Sequence, residues 1–385
     1  MQDMTSHLAA DEQQVVSVVQ RYADSELVPK ATKTDETGIY VRGQLNGLSA
    51  LGVLGANLPE AWGGAGLSSP ALLATVAAIA AACGSTASAL TAHYLATDSI
   101  LLGGNEEQRQ KWLPRAAIGE ALGAFALTEP TAGSDPADMK TRAQKTPQGW
   151  HLSGAKCFIS NGGEADFIAV YAMTQPTLAH RGISAFIVPK DTKGLVVGKP
   201  ERTMGIKGGH VFALSFDCIL PQEALLGGVE GQGFKTAMKV LDNGRIEVAA
   251  MCLGIAQAAL KAAISHAKER MIGGEALANR QGIRWQLADM AVDLRAAFLV
   301  ALDAAKQREA AHRGGPRFSL AAAQAKLVCS EMAGRVTDGA LQIHGGYGYT
   351  RDFPLERYVR DARIMRIYEG SSEIQRNIIS AHLLS

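Results

Sequence analysis

Four segments of the 385-residue sequence set polar or glycine residues in otherwise apolar surroundings, where they could do chemistry. In Arg366-Ile-Tyr-Glu-Gly-Ser-Ser-Glu-Ile-Gln375 a carboxylate, Glu369, stands between Tyr368 and Gly370. A base that takes a proton from carbon must lie against its substrate, with desolvation lifting its pKa toward the working pH. An apolar neighbour on one side and a bare glycine on the other suit Glu369 to that task. The residue also reads as a carboxylate held by the dipole of a final helix that Ser371 or Ser372 would cap.

In Phe125-Ala-Leu-Thr-Glu-Pro-Thr-Ala-Gly-Ser-Asp135, Gly133 and Ser134 suit a loop whose amides and hydroxyl meet an anion such as a pyrophosphate; an exposed turn explains them equally well. In Lys156-Cys-Phe-Ile-Ser-Asn-Gly-Gly163, Ser160 and Asn161 could bond a heterocycle with Phe158 beside it. A strand end followed by a Gly-Gly turn accounts for the same residues. In Leu341-Gln-Ile-His-Gly-Gly-Tyr-Gly-Tyr349 three glycines follow a helical stretch, either capping it or letting backbone lie flat against a cofactor. His344 reads as a packed helix-end histidine.

The elements that must position these segments fall in the order helices, strands, helices. Apolar residues recur at helical spacing in Asp11–Leu27, Val41–Leu51 and Ala71–Ala82, and a further helix is expected over Glu106–Arg115. Near Ala124 the period drops to two. Trp150–Lys156, Phe167–Ala172, Ile183–Val188, Leu195–Val197 and Val211–Cys218 read as strands, the last alternating through Phe212, Leu214, Phe216 and Cys218. After Gly233 the helical period returns. Ile246, Ala249, Leu253, Ala256 and Leu260 form one stripe and Leu287, Met290, Leu294, Phe298 and Leu302 another, with Ser319 expected to cap the next helix.

The expected fold class is therefore α+β: a helical domain over 1–122, an antiparallel β domain over 123–232 and a four-helix bundle over 233–385. No GxGxxG follows a strand and opens a helix, which argues against a nicotinamide cofactor bound in the Rossmann mode.

Lys+Arg number 38 against 37 Asp+Glu, a net charge of +1 that argues against a nucleic-acid partner. The five cysteines are scattered, with no CxxC and no metal-ligand cluster, as expected of reduced core thiols in a cytoplasmic protein. The polar, acidic N-terminus does not read as a signal peptide. Ala71–Leu90, the most membrane-like stretch, is mostly Ala and reads as a buried helix, so no membrane partner is expected.

Taken together, TEPTAGSD, KCFISNGG, LDNGRIEVAAMCLGIAQ, LQIHGGYGYTRDFPLERYVRD and IYEGSSEIQ resemble, in this order and over nearly the whole chain, the acyl-CoA dehydrogenase family. The likeness is greatest to short-chain and short branched-chain members. It implies FAD and an acyl-CoA thioester held between the domains. Glu369 would remove the α-proton while the β-hydrogen passes as hydride to flavin N5. Phe125, Leu127, Thr128, Ser134, Phe158 and Ser160 would border the flavin and its pyrophosphate, with Ser134 also near the pantetheine. Arg270, Gln281 and the run Gln342, Ile343, His344, Gly345 and Gly346 would meet the adenosine part across a subunit boundary, and Ser371, Ser372 and Glu373 would complete the cofactor site. Asp242, Asn243, Gly244, Arg245, Tyr368 and Gly370 would face the acyl-CoA. The resemblance further implies a homotetramer built as a dimer of dimers and an electron-transfer flavoprotein as electron acceptor.

Some family members carry the base directly before the arginine matching Arg245; here that position is Gly244, which points to Glu369 instead. Glu247 reads as structural or pocket-lining. Two departures stand out. The family's RxxFG motif appears as Arg270-Met-Ile-Gly-Gly274, with Gly273 in place of an aromatic, and Gly209 and Val211 replace the usual Ser and Thr after MGIKG. An oxidase or a carrier-protein thioester dehydrogenase on the same fold, or a catalytically silent flavoprotein subunit, are the alternatives.

Overall fold

The computed structural model describes residues 3–385. Six helices open the chain: α1 (Ala10–Tyr22), α2 (Val28–Thr37), α3 (Arg42–Ser49), α4 (Ser69–Ala82), α5 (Gly84–Gly103) and α6 (Glu106–Ala117). α4 and α5 share one apolar run, which breaks at Cys83, where extended backbone (φ −152°, ψ 105°) redirects the chain. Ser68 caps α4 by accepting the Ala71 N–H, and Asn105 with Gln108 forms a reciprocal capping box on α6. Both central helices are buried on nearly every face.

A seven-stranded sheet follows: β1 (Gly123–Ala126), β2 (Arg142–Thr146), β3 (Gly149–Ser160), β4 (Phe167–Met173), β5 (Ile183–Pro189), β6 (Leu195–Val197) and β7 (Val211–Leu220). The order is β1-β4-β2-β3-β7-β6, with β5 also on β4. Four ladders are antiparallel. The expected antiparallel domain is corrected in part, because β1 runs parallel to β4 and β2 meets β4 in one parallel pair. The β2–β3 hairpin supplies the long crossover that a parallel pairing requires. The predicted alternation in β7 is present, with Phe212, Leu214, Phe216 and Cys218 buried and their neighbours exposed or half-buried. A bulge in β3 between Lys156 and Ile159 carries Phe158 at φ +56° and turns its ring out, 67% exposed.

The last third holds α7 (Gly233–Glu269), a short hairpin of β8 (Met271–Ile272) and β9 (Glu275–Ala276), then α8 (Gln281–His312), α9 (Ser319–His344), α10 (Leu355–Arg363) and α11 (Ser372–Leu384). The two predicted stripes face inward, all but half-buried Leu287 lying in the core. Long α7 is the axis, packed on α4, α5, α8 and α9. The expectation that Ser319 caps α9 is not met: it is the first helical residue, and its hydroxyl donates to Asp242 instead. Gly273 and Gly274 (φ +62° and +82°) make the two-residue turn of the β8–β9 hairpin, a geometry that demands left-handed backbone at both positions. That accounts for a glycine where an aromatic was expected.

Candidate active site

A cleft of about 310 Å³ opens where the sheet meets the helices. Its sheet-side wall is Phe125, Leu127, Thr128, Gly133, Ser134, Phe158 and Ser160; facing it are Leu95 from α5, Leu241 and Arg245 from α7, and the Tyr368–Gly370 turn. Chain positions more than two hundred residues apart are thus brought together.

Glu369 adopts left-handed backbone (φ +52°) and Gly370 follows at φ +92°. The turn is pinned from behind. Lys326 Nζ donates to the Gly370 carbonyl at 2.7 Å, and Gln375 Nε2 donates to the carbonyls of Gly370 (2.8 Å) and Glu369 (3.3 Å). A Cβ at position 370 would lie 2.5 Å from Gln375 Nε2, so glycine is required there on two counts. Oε2 of Glu369 is shut off from solvent and has no hydrogen-bond partner among the described residues. Burial pushes the Glu369 carboxyl up to about 7, against the pull of the Lys326 and Arg245 cations. Gly244 is what makes room: a Cβ there would sit 2.1 Å from Glu369 Oε2. A side chain at position 244 and the Glu369 carboxylate would therefore compete for the same space.

The loop after β1 is shaped by a buried ion pair. Lys156 Nζ bonds Glu129 Oε1 at 2.8 Å and donates to the Leu127 carbonyl at 2.9 Å, while Glu129 accepts the Thr141 N–H. Asn161, read from sequence as a possible heterocycle contact, is buried and fully engaged. Its Oδ1 accepts the Tyr40 hydroxyl (2.8 Å), and its Nδ2 donates to the carbonyls of Ala89 (2.8 Å) and Gly123 (3.3 Å). Asn161, at φ +62°, takes the left-handed position expected of the glycines that follow it.

Of the Asp242–Arg245 run only Arg245 lines the cleft, with Gly244 against the Glu369 carboxylate. Asp242 is occupied by Arg245 (2.6 Å), Ser319 and Arg317. Asn243 donates to Asp98 Oδ2 at 2.6 Å. Glu247 is structural, buried beside Arg308 (3.5 Å) and Asp98 and no part of the cleft wall. Ser371 caps α11 through the Ile374 N–H, Ser372 donates to Glu331 at 2.7 Å, and Glu373 is exposed; none of the three borders the cleft. The remaining expected cofactor contacts form a separate group at the far end of α9. Arg270 lies over the Tyr347 ring, Gln281 opens α8, and Gln342, Gly345 and Gly346 are exposed beside buried Ile343 and His344, the latter stacked 4.2 Å from His266.

Sequence reading missed Lys326, Gln375 and the α5 residues of the wall. A lone lysine in the largely apolar run Ala321–Val328 was the available signal for Lys326; α5 offered none, its small polar residues being scattered around the helix with no distinct face. Among the described residues no group of three or more His, Cys, Asp or Glu is placed to hold a metal ion.

A solvent-shielded carboxylate faces a hydroxyl-bearing wall across a cleft in a helix–sheet–helix frame, the arrangement of an enzyme active site. The chain belongs to the acyl-CoA dehydrogenase family, whose N-terminal, middle and C-terminal domain models match residues 9–120, 124–219 and 231–384, and it is an oxidoreductase. It is 40% identical to the short-chain specific acyl-CoA dehydrogenase of Clostridium acetobutylicum, over 99% of this chain and all of that one. Butyryl-CoA dehydrogenase from Megasphaera elsdenii superposes with a TM-score of 0.95 at 39% identity, each chain covered completely. A chain solved in work on the electron transferring flavoprotein of Acidaminococcus fermentans also superposes at 0.95, with 40% identity over 98% of this chain and 99% of that one.

Proposed function

We propose that the protein oxidises a short or short branched acyl-CoA thioester to the trans-2-enoyl-CoA, using FAD and with Glu369 as base. The observation that carries this reading is the unpartnered, buried Oε2 of Glu369, held up to about 7 on the cleft floor. Such a carboxylate is ionised in a large fraction near neutrality yet binds a proton strongly, as a base for an α-C–H must.

The sheet-side wall fits a flavin. Thr128, Ser134 and Ser160 offer hydroxyls, the β3 bulge presents the exposed Phe158 ring for stacking, and a Cβ at Gly133 would meet nothing within 4 Å, leaving open approach to backbone. Bound there, a flavin supplies the two-electron acceptor for the β-hydrogen. This chain's residues do the rest. The Glu369 N–H would donate to the thioester carbonyl and so acidify the α-carbon, as the family resemblance implies. The carboxylate of Glu369 then takes the α-proton, and Leu95, Leu241 and Tyr368 exclude water from it.

A second groove of about 520 Å³ shares Met238 with the cleft and carries His180, Arg181, Lys235, Lys239 and Arg317 against one acid, Glu230. That balance suits the phosphates of CoA. The short acyl chain and the electron-transfer flavoprotein as acceptor rest on the named similarities above. A homotetramer is supported by the exposed row Trp285, Val292 and Leu299, seven residues apart along α8, and by the adenosine-side residues that lie apart from the cleft. We place the protein in the cytoplasm on its scattered, unbridged cysteines.

The test is anaerobic reduction of the flavin-loaded enzyme by straight and branched C3 to C8 acyl-CoA thioesters. At least one short thioester should bleach the oxidised flavin spectrum, and Glu369→Gln should abolish bleaching. Equal reduction in Glu369→Gln would remove the base from Glu369.

A further inference from the structure

We propose that Lys326 is a positioning residue for the base: it fixes the Tyr368–Gly370 turn through the Gly370 carbonyl and sets a buried positive charge beside the Glu369 carboxylate. The inference rests on the reading of Glu369 as base and concerns what holds and charges it.

Lys326 lies within α9 and is wholly buried. A buried ammonium ordinarily needs a carboxylate partner, because desolvation costs several kcal/mol. Among the described residues Lys326 Nζ has no carboxylate within ion-pair distance, and its hydrogen bond goes to the Gly370 carbonyl at 2.7 Å. That carbonyl already accepts from Gln375 at 2.8 Å. If satisfying a carbonyl were the whole task, a neutral side chain would do it without burying a charge. What the charge gains from its position is Glu369.

The turn itself needs anchoring. Left-handed backbone at a residue with a side chain costs roughly 1–2 kcal/mol, and Glu369 bears it at φ +52°. α9 grips both flanks. Glu331 accepts the Ser372 hydroxyl on one side and lies 3.6 Å from Arg366 Nε on the other, with Lys326 at the centre.

The groups bearing on Lys326 are Cys252 and Arg245 from α7, Glu331 on its own helix and Glu369 on the turn. Burial brings the Lys326 ammonium down to about 8. Glu369 in turn is raised by burial and drawn back by Lys326 and Arg245; it also feels Glu247 across α7. Removing the Lys326 charge therefore moves Glu369 further upward, and the base needs a more alkaline solution to ionise.

Lys326→Gln keeps a donor for Gly370 but drops the charge, and Lys326→Arg keeps the charge. Two readouts serve: infrared titration of the Glu369 carboxyl band in flavin-loaded protein without substrate, assigned with Glu369→Gln, and the acid limb of kcat/KM. In Lys326→Gln both midpoints should move upward together by about one pH unit, a tenfold loss of ionised base on the acid side, and in Lys326→Arg both should return toward wild type. Midpoints unmoved in Lys326→Gln would overturn the proposal. So would a Gln variant that no longer folds, since Lys326 would then be holding the fold alone. A wild-type protein inert to every thioester, whose Glu369 band still shifts in Lys326→Gln, would sink the dehydrogenase reading and leave this coupling standing.

Discussion

Gly244→Ala adds one methyl group where the structure leaves no room for it. The new Cβ would lie 2.1 Å from Glu369 Oε2, 2.7 Å from Leu95 Cδ2 and 3.1 Å from Glu369 Cδ. An ordinary carbon–oxygen contact is about 3.3 Å, so the carboxylate must retreat by roughly 1 Å. The crowded atoms are ends of side chains and not backbone, so they move without the fold giving way. Within a helix Gly→Ala itself stabilises by about 1 kcal/mol, which offsets part of the crowding at Leu95. Stability should therefore change by no more than about 1 kcal/mol. A displacement of 1 Å at the reacting centre, by contrast, costs on the order of 10²-fold in rate. Stopped-flow bleaching of the flavin by butyryl-CoA, run beside urea denaturation, separates the two effects. Wild-type bleaching by a normally folded Gly244→Ala protein would refute the reasoning, as would a variant that unfolds yet reacts normally while folded.

Three further outcomes are expected. Glu369 holds a proton up to about pH 7 when folded but only to its usual 4.5 when unfolded, so the folded state binds more protons between these values and wild-type stability falls as pH rises through that window; Glu369→Gln should be more stable by up to roughly 3 kcal/mol at pH 8 and converge with wild type below pH 4, by paired denaturation curves. Lys156→Met leaves Glu129 as a buried, uncompensated charge and should lose about 3–5 kcal/mol, most of it recovered in Lys156→Met/Glu129→Gln, measured by urea unfolding. Gly273→Asn should preserve the β8–β9 hairpin, whereas Gly273→Ile should weaken it by about 1–2 kcal/mol, read as faster amide exchange over residues 271–276.

The helix and strand periods were legible wherever one face of an element meets solvent: β7 alternates cleanly, and the α7 and α8 stripes face the core. β1 and β2 escaped notice because Gly123–Ala126 is short and Arg142–Thr146 is largely polar, so neither shows a period. α5 was hidden for a different reason: it is buried on all sides, and its Ser, Thr, His and Asp residues are scattered around it, leaving no apolar stripe set against a polar one. At the site, Glu369 and the sheet-side wall were visible as motifs. What could not be read was why Glu369 is poised. Lys326 lies 43 residues before it, Gly244 lies 125 before, and only the folded chain sets both beside the carboxylate.

Asn161 carries a consequence for motion. Its side chain joins Tyr40 of the loop before α3, Ala89 of α5 and Gly123 of β1, and it sits one residue beyond Ser160 of the cleft wall. Swinging the sheet away from the helices would break the Tyr40 and Ala89 contacts together, the Gly123 contact staying within the sheet, and strand buried polar groups at about 1–3 kcal/mol each. Helices and sheet are riveted at the seam, so the cleft has a fixed gauge. The exposed Phe158 ring at the cleft is held by no such contact.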